Sequence, residues 1–471
     1  MSGGAAKTGS GANSGLIAMI VAVATIGGLL FGYDSGAVNG TQPGLKAAFA
    51  LSESGLGFTV GSLLIGCFIG AFFAGTLADR MGRRNVMRLA AILFLGGALV
   101  QGFAHAQPVF VIARIVGGMA VGAASVLSPA YISEVAPANI RGRMTTIQQI
   151  MIISGLTAAF VVNYYLANAA GASTEMLGGI EAWRWMYLMQ AIPAAIFLVA
   201  LFLIPESPRY LVAKGREAEA EGVLTSLFGA DTAATKLSEI RASFSADHRP
   251  QLRDILDPVK GGVRPVVWAG LLLAVFQQLV GINVIFYYGA TLWQLAGFTE
   301  ADSLLINIVS GAVSIAACLV TVALVDKIGR KPLLLIGSAG MAVTLFGLVY
   351  AFSQGSLDAA GKLQLSPQLG TIAVVAANLY VIFFNLSWGP VMWVMLGEMF
   401  PNQIRGSALA VCGFAQWFSN YLIAQSFPVM AAKLGLAASY TFYAVCAVIS
   451  FFLVQKFIHE TKGKELEEMT G

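Results

Sequence analysis

The sequence predicts an all-α membrane protein of twelve transmembrane helices, arranged as two six-helix bundles with a polar helical loop between them. Three observations carry this. Of its 471 residues, 57% are hydrophobic and only 11% charged, with mean hydropathy +0.76. An ordinary soluble domain carries about 25% charged residues, and a soluble core of this size would leave a surface short of charge. The apolar residues also come in continuous runs about 20 long, the length that crosses hydrocarbon as a helix, without the alternation of barrel strands. Finally, short motifs at the ends of these runs in the first half return in the second.

The runs place spans at 15–38, 55–77, 86–104, 109–131, 145–167, 185–204, 266–294, 303–325, 332–352, 371–397, 407–431 and 438–458. This divides the chain into a flexible tail (1–14), an N-terminal bundle (15–204), a linker (205–265), a C-terminal bundle (266–458) and a second tail (459–471). No cleavage signal separates the first tail from the first span, which is expected to stay. The linker's "PESPRYLVAKGREAEAEGVL" and "KLSEIRASF" read as short amphipathic helices on the membrane face.

The net charge of +4 matters less than where the charges fall. Arg80, Arg83, Arg84, Arg88, Arg141, Arg143, Lys327, Arg330, Lys331 and Arg405 share one set of loops with the linker and the C-terminal tail, whereas the other set holds little beyond Lys46, Lys362 and Lys433. The positive-inside rule puts both termini and the linker in the cytoplasm. The four cysteines sit singly in apolar runs and the three histidines are scattered, so no metal or cofactor is expected.

The halves repeat in register. "ADRMGRR" (78–84) returns as "VDKIGRK" (325–331), "EVAPANIRG" (134–142) as "EMFPNQIRG" (398–406), and "IPESPR" (204–209) loosely as "IHETKG" (458–463), each pair about 250–265 residues apart. Six plus six helices in parallel repeat is the major facilitator layout, with a substrate site at the midplane between halves. With "PESPR" and "FQQLVGIN" added, the chain resembles the sugar porter family of the major facilitator superfamily from Gly27 to Glu467.

Charged residues recur where helices leave the membrane: Asp79, Arg83 and Arg84 with their mirror Asp326, Arg330 and Lys331, Glu134 with Arg141, Glu398 with Arg405, and Glu206 with Arg209. Headgroup anchoring would account for the basic residues but not for acids at fixed offsets. Salt bridges tying the halves together would account for both, and the resemblance implies that they form when the carrier faces outward and break when it opens inward. Each is individually weak, about 0–1 kcal/mol, which suits a bias on an equilibrium. Glu398→Ala or Arg405→Ala is expected to shift the resting population inward, read as increased cytoplasmic accessibility to a cysteine reagent.

Within the spans, polar residues must find partners in protein or water. Gln149, Gln277, Gln278, Asn283 and Gln416 are neutral amides, accompanied by the aromatics Phe31, Tyr287, Tyr288, Trp393 and Trp417. Amides both donate and accept, as sugar hydroxyls do; carboxylates or a ring of arginines would have pointed to a cation or a phosphate. Helix–helix glue is the competing reading of any one amide. The resemblance implies that Gln149, Gln277, Gln278, Asn283, Trp393 and Gln416 hydrogen-bond the sugar, and that Phe31, Tyr287 and Trp417 form its aromatic wall. Trp388, just before an expected hinge at Gly389–Pro390, reads as structural. The resemblance puts Leu156 where a xylose-carrying member has a glutamine reaching the sugar, which leaves the choice between hexose and pentose open.

Asp34, in "IGGLLFGYDSGAVNG", is costly in hydrocarbon, about 2.5–3.5 kcal/mol at a helix centre. Asp34 lies near the outer end of the first span and Arg114 near the outer start of the fourth, so the two share a depth and are natural partners. Beside Arg114 the carboxylate is favoured; apart from it and desolvated, the acid is. The resemblance implies proton symport, since "FGYD" becomes "FGYN"-like in passive facilitators. A static pair in a uniporter remains the alternative. A sugar sensor would need an output segment, and no nucleophile–base, metal or phosphate-cradle constellation suggests an enzyme. The expected partners are a monosaccharide, protons and the lipid bilayer, with no nucleic acid, for a monomer in a bacterial inner membrane. "NGT" at Asn39–Thr41 fits the glycosylation pattern but hugs the end of the first helix, and reads as incidental.

Overall fold

A computed structural model describes residues 13–135, 141–246, 252–257, 261–359, 362–401 and 404–462. The first half contains α1 (Ser14–Phe49), α2 (Glu53–Met81), α3 (Arg83–Phe103), α4 (Gln107–Val135), α5 (Arg141–Ala170), and a sixth span divided into α6 (Ala182–Leu188) and α7 (Ala191–Ala200). The linker holds α8 (Pro208–Ala213), α9 (Glu217–Phe228) and α10 (Ala230–Ala246). The second half contains α11 (Pro265–Leu279), α12 (Ile282–Leu295), α13 (Glu300–Ile328), α14 (Arg330–Ser353), α15 (Pro367–Leu386), α16 (Trp388–Met399) and α17 (Arg405–Phe457). Among the described residues, eleven helical stretches are long and apolar enough to cross a membrane. The last, α17, is two spans meeting at Gly435 (φ 81°, ψ 169°), which brings the number to twelve. An even number puts the first and last spans' free ends on one side, here called the termini end; the opposite side is the far end.

Short polar caps start the helices. Asn13, Ser52, Thr299 and Ser366 each accept a backbone N–H of the first turn of α1, α2, α13 and α15. Inside the first half, bare backbone sets the distances between helices. A β-carbon on Gly32 of α1 would lie 1.7 Å from the Ile152 carbonyl of α5, and one on Gly118 of α4 would lie 2.0 Å from the Leu63 carbonyl of α2. Contact this close, with small residues facing backbone, is how helices bind in a bilayer that offers no hydrophobic drive between them.

Two spans of the second half are broken at mid-depth. Gly281 separates α11 from α12 with φ 83°, a left-handed conformation that a residue with a β-carbon reaches only under strain. The Tyr380 hydroxyl donates to the carbonyl of Val280 at 2.6 Å, so a backbone group at the break stays satisfied. The tenth span breaks at Ser387, and Pro390 falls within the first turn of α16. The break therefore precedes the expected Gly389–Pro390 hinge, because proline is tolerated in a helix's first turn.

Candidate functional site

Asp34 on α1 and Arg114 on α4 meet in the first half, each side chain 1% exposed. The closest approach is 3.4 Å between Nη2 and Oδ2. Arg114 is also held by the Val60 carbonyl at 3.2 Å and Gln101 Oε1 at 3.4 Å, and its guanidinium lies 6.0 Å from the Tyr187 ring centroid. The fully buried amide of Gln190, between α6 and α7, lies beside the Asp34 carboxylate, yet neither of its polar atoms has a well-formed hydrogen bond. Composition gave no hint of this second neighbour; the fit of α6 onto α1 would have been needed.

The amides gather where α11, α12, α16 and α17 converge. Gln277 Nε2 donates to the carbonyls of Trp388 (3.0 Å) and Gly389 (3.4 Å), groups in the first turn of α16. Gln277 Oε1 accepts from Gln278 at 3.2 Å and from Gln416 at 3.1 Å, and Asn283 donates to Gln278 Oε1 at 2.5 Å. The two breaks thus meet at the cluster: Gln277, Gln278 and Asn283 flank the bend at Gly281, and Trp388 and Gly389 open α16 just after the break at Ser387. Phe31 and Trp417 pack edge to face across the halves, ring centroids 5.3 Å apart. Asn420, not singled out from the sequence, donates to the Tyr287 hydroxyl at 3.0 Å. Gln416 Oε1 and Asn420 Oδ1 are buried acceptors without a partner.

Three expected site residues stand apart from this cluster. Tyr288 packs inside the second half, its hydroxyl donating to Ala424 O at 2.6 Å and its ring on Phe427. Trp393 is 38% exposed, whereas Trp388 is buried and its indole donates to Leu334 O and Ser338 Oγ. Gln149 is half-buried; its neighbour Gln148 is the buried one, packed over Gly28.

The charge clusters lie at the termini end. Arg83 binds Asp79 and Glu134, both at 3.1 Å, and Glu134 also accepts from Ser207. Their mirrors follow the same plan: Arg330 binds Asp326 at 3.0 Å and Glu398 at 2.7 Å, and Glu398 accepts from Thr461 at 2.6 Å. The Arg83–Glu134 and Arg330–Glu398 pairs each stay within one half. Arg84 reaches the Ile204 carbonyl, Lys331 the Gln455 carbonyl and Arg405 the Phe400 carbonyl. Arg209 lies within electrostatic reach of Glu134, and the Arg141 side chain falls outside the described residues.

The loose echo of "IPESPR" in "IHETKG" has a physical meaning. Glu206 accepts the backbone N–H of Arg84 at the start of α3, and Glu460 accepts those of Arg330 and Lys331 at the start of α14. Both helices begin at a glycine with positive φ, Gly82 (95°) and Gly329 (103°), against which the carboxylate packs. A carboxylate on the bare N–H groups of a helix start is favoured by the helix dipole. Burial pushes the Glu460 carboxyl up, but the backbone N–H donors of Lys462, Arg330, Lys331 and Thr461 outweigh it and hold the group below its ordinary range.

At the far end the halves touch. Asn39 and Gln42 of α1 reach α12, the Ser173 N–H donates to Glu300 Oε1 at 3.1 Å, and Gln425 donates to Ser54 O at 3.1 Å. The seam is therefore closed at the far end.

Two six-helix halves in parallel repeat, with broken helices at the midplane, define a membrane carrier of the major facilitator class. The chain belongs to the sugar transporter family: residues 20–471 match the family "Sugar (and other) transporter". It is 46% identical over 462 residues to the glucose transport protein of Synechocystis sp., covering 98% of each chain, and 39% identical to the D-xylose-proton symporter of Escherichia coli, covering 97% of this chain and 96% of that one. Among solved structures, the inward-open xylose transporter XylE of E. coli superposes with a TM-score of 0.81 at 37% identity, covering 96% of this chain and 99% of that one. The proton:xylose symporter XylE bound to a bromodeoxyglucose superposes at 0.78, with 36% identity, 97% of this chain and 99% of that one. The protein is a multi-pass membrane transporter and not an enzyme.

Proposed function

We propose that this protein is a proton-coupled symporter that imports a neutral monosaccharide, hexose or pentose, by alternating access. The observation that carries the reading is the dry Asp34–Arg114 pair in the first half, together with a cluster of uncharged amides in the second. Asp34 takes the proton, and Arg114 stabilises the charged form until the acid is loaded. Gln149, Gln277, Gln278, Asn283 and Gln416 hold the sugar hydroxyls, with Trp393 joining when the seam shuts around the ligand. Phe31, Tyr287 and Trp417 face the C–H surface of the ring. The unpartnered acceptors Gln416 Oε1 and Asn420 Oδ1 fit a ligand that brings hydroxyl donors.

The bundles 15–204 and 266–458 rock against each other, with linker 205–265 and both termini on the cytoplasmic side of a bacterial inner membrane. In that orientation the closed far end is the outer gate. Asp79, Arg83, Arg84, Glu134, Arg141, Glu206, Arg209, Asp326, Arg330, Lys331, Glu398 and Arg405 form the inner gate when the carrier faces outward. The chain works as a monomer. The relatives named for proton symport support coupling.

The test is uptake by purified protein in sealed vesicles. An inward proton gradient is expected to concentrate labelled sugar above its outside level, and a collapsed gradient to give equilibration only. Equilibration under both conditions would make the protein a passive uniporter. Competition of glucose uptake by xylose, galactose and fructose reports which sugar fits.

A further inference from the structure

Asn39 lies five residues beyond Asp34 on α1, roughly 7.5 Å along the helix. Its side chain is fully buried, and both of its polar atoms are engaged across the seam. Nδ2 donates to the carbonyl of Phe286 at 2.9 Å and of Ile285 at 3.3 Å, while Oδ1 accepts the Ala290 N–H at 2.9 Å and Asn307 Nδ2 at 2.8 Å. Phe286 C=O and Ala290 N–H are the two groups an α-helix joins directly. Here a carboxamide from the other half, itself shaped like a peptide unit, bridges them. Gln42 reaches the same helix one step on: it donates to Tyr287 C=O and accepts from the Thr291 side-chain hydroxyl at 2.5 Å. The surface of α12 leaves room for the intrusion. A β-carbon on Gly289 would lie 2.3 Å from Asn307 Oδ1 and 3.0 Å from Asn39 Nδ2.

We infer that Asn39 is a positioning residue: set into the hydrogen-bond ladder of α12, it latches the far gate and ties the helix bearing Asp34 to the helix bearing Tyr287. This rests on the alternating-access reading above. When α1 withdraws, Ala290 N–H pairs with Phe286 C=O and the amide meets water entering the opened gate. The α12 carbonyl and N–H keep a partner in both states. A latch made by exchange of partners holds without locking, since neither backbone group is left bare. It also explains why an amide stands here: a hydroxyl could not bridge a carbonyl and an N–H four residues apart in the same way.

The experiment uses the full chain in sealed, outward-oriented vesicles, with Thr291→Cys as reporter and an impermeant maleimide outside. Thr291 is half-buried beneath Gln42, and the native cysteines are buried. Asn39→Ala is expected to raise the labelling rate about tenfold, the shift that a tenfold change in gate equilibrium gives. Gly289→Ala, which wedges the latch from the opposite side, should act in the same direction. Sugar exchange should persist while net uptake slows and the external KM falls. Unchanged labelling in both variants overturns the inference. So does faster labelling with loss of exchange and a lowered melting temperature, because that marks a merely structural role. Labelling needs no substrate, so a wild-type protein that moves no monosaccharide would defeat the transport reading separately.

Discussion

With Asn in place of Asp34, concentrative uptake is expected to vanish while exchange of labelled sugar across the same vesicles continues. The side chain keeps its size and its hydrogen-bonding oxygen but can no longer release a proton. A pH gradient of one unit drives at most about tenfold accumulation at one proton per sugar, and Asp34→Asn should give a ratio of one. Breaking a buried ion pair costs about 3–5 kcal/mol when the remaining charge is left bare. Here Arg114 retains Val60 O and Gln101 Oε1, so folding should survive with a lowered melting temperature. Accumulation by Asp34→Asn would remove Asp34 from the coupling role. Loss of exchange together with accumulation would point to a structural pair instead.

The second large effect is expected at Gln277. Its amide is the hub of the cluster, bonding two carbonyls in the first turn of α16 and accepting from both Gln278 and Gln416. Gln277→Ala removes all four contacts at once and takes the shared acceptor from the buried Gln278 and Gln416 amides. Sites built on hydrogen bonds lose heavily when one side goes missing, so sugar KM should rise about 100-fold or more. Gln416→Ala takes one bond from the hub's edge and should cost about tenfold. Direct binding titration of both variants checks the order. Equal, small effects would mean that these amides serve only to pack helices.

Much of this was legible from residue order alone. Apolar runs and the in-register repeat gave the twelve spans, because hydrocarbon thickness fixes helix length. The Asp34–Arg114 pairing followed from matching depths on α1 and α4, since neither charge is tolerable alone. The tenth-span break could not be read: proline drew attention to Gly389–Pro390, whereas the chain turns at Ser387 and uses Pro390 inside the new helix. Asn39 was visible only as part of a glycosylation pattern, yet it is buried against α12 and α13. Gln190 and Asn420 carried no local signal. Contacts between helices distant in the chain depend on rotation about each helix axis, and no run of residues displays that.

The backbone-to-backbone fit at Gly32 and Gly118 has a mechanical consequence. Helices pressed this closely cannot shear past one another, so the first half behaves as a stiff wedge and the compliance of the molecule is concentrated in the seam. Bilayer thickness and lateral pressure then act on the balance between the two openings rather than on the integrity of either bundle. Changing acyl-chain length should alter turnover well before it alters unfolding, which makes lipid composition a throttle on this carrier.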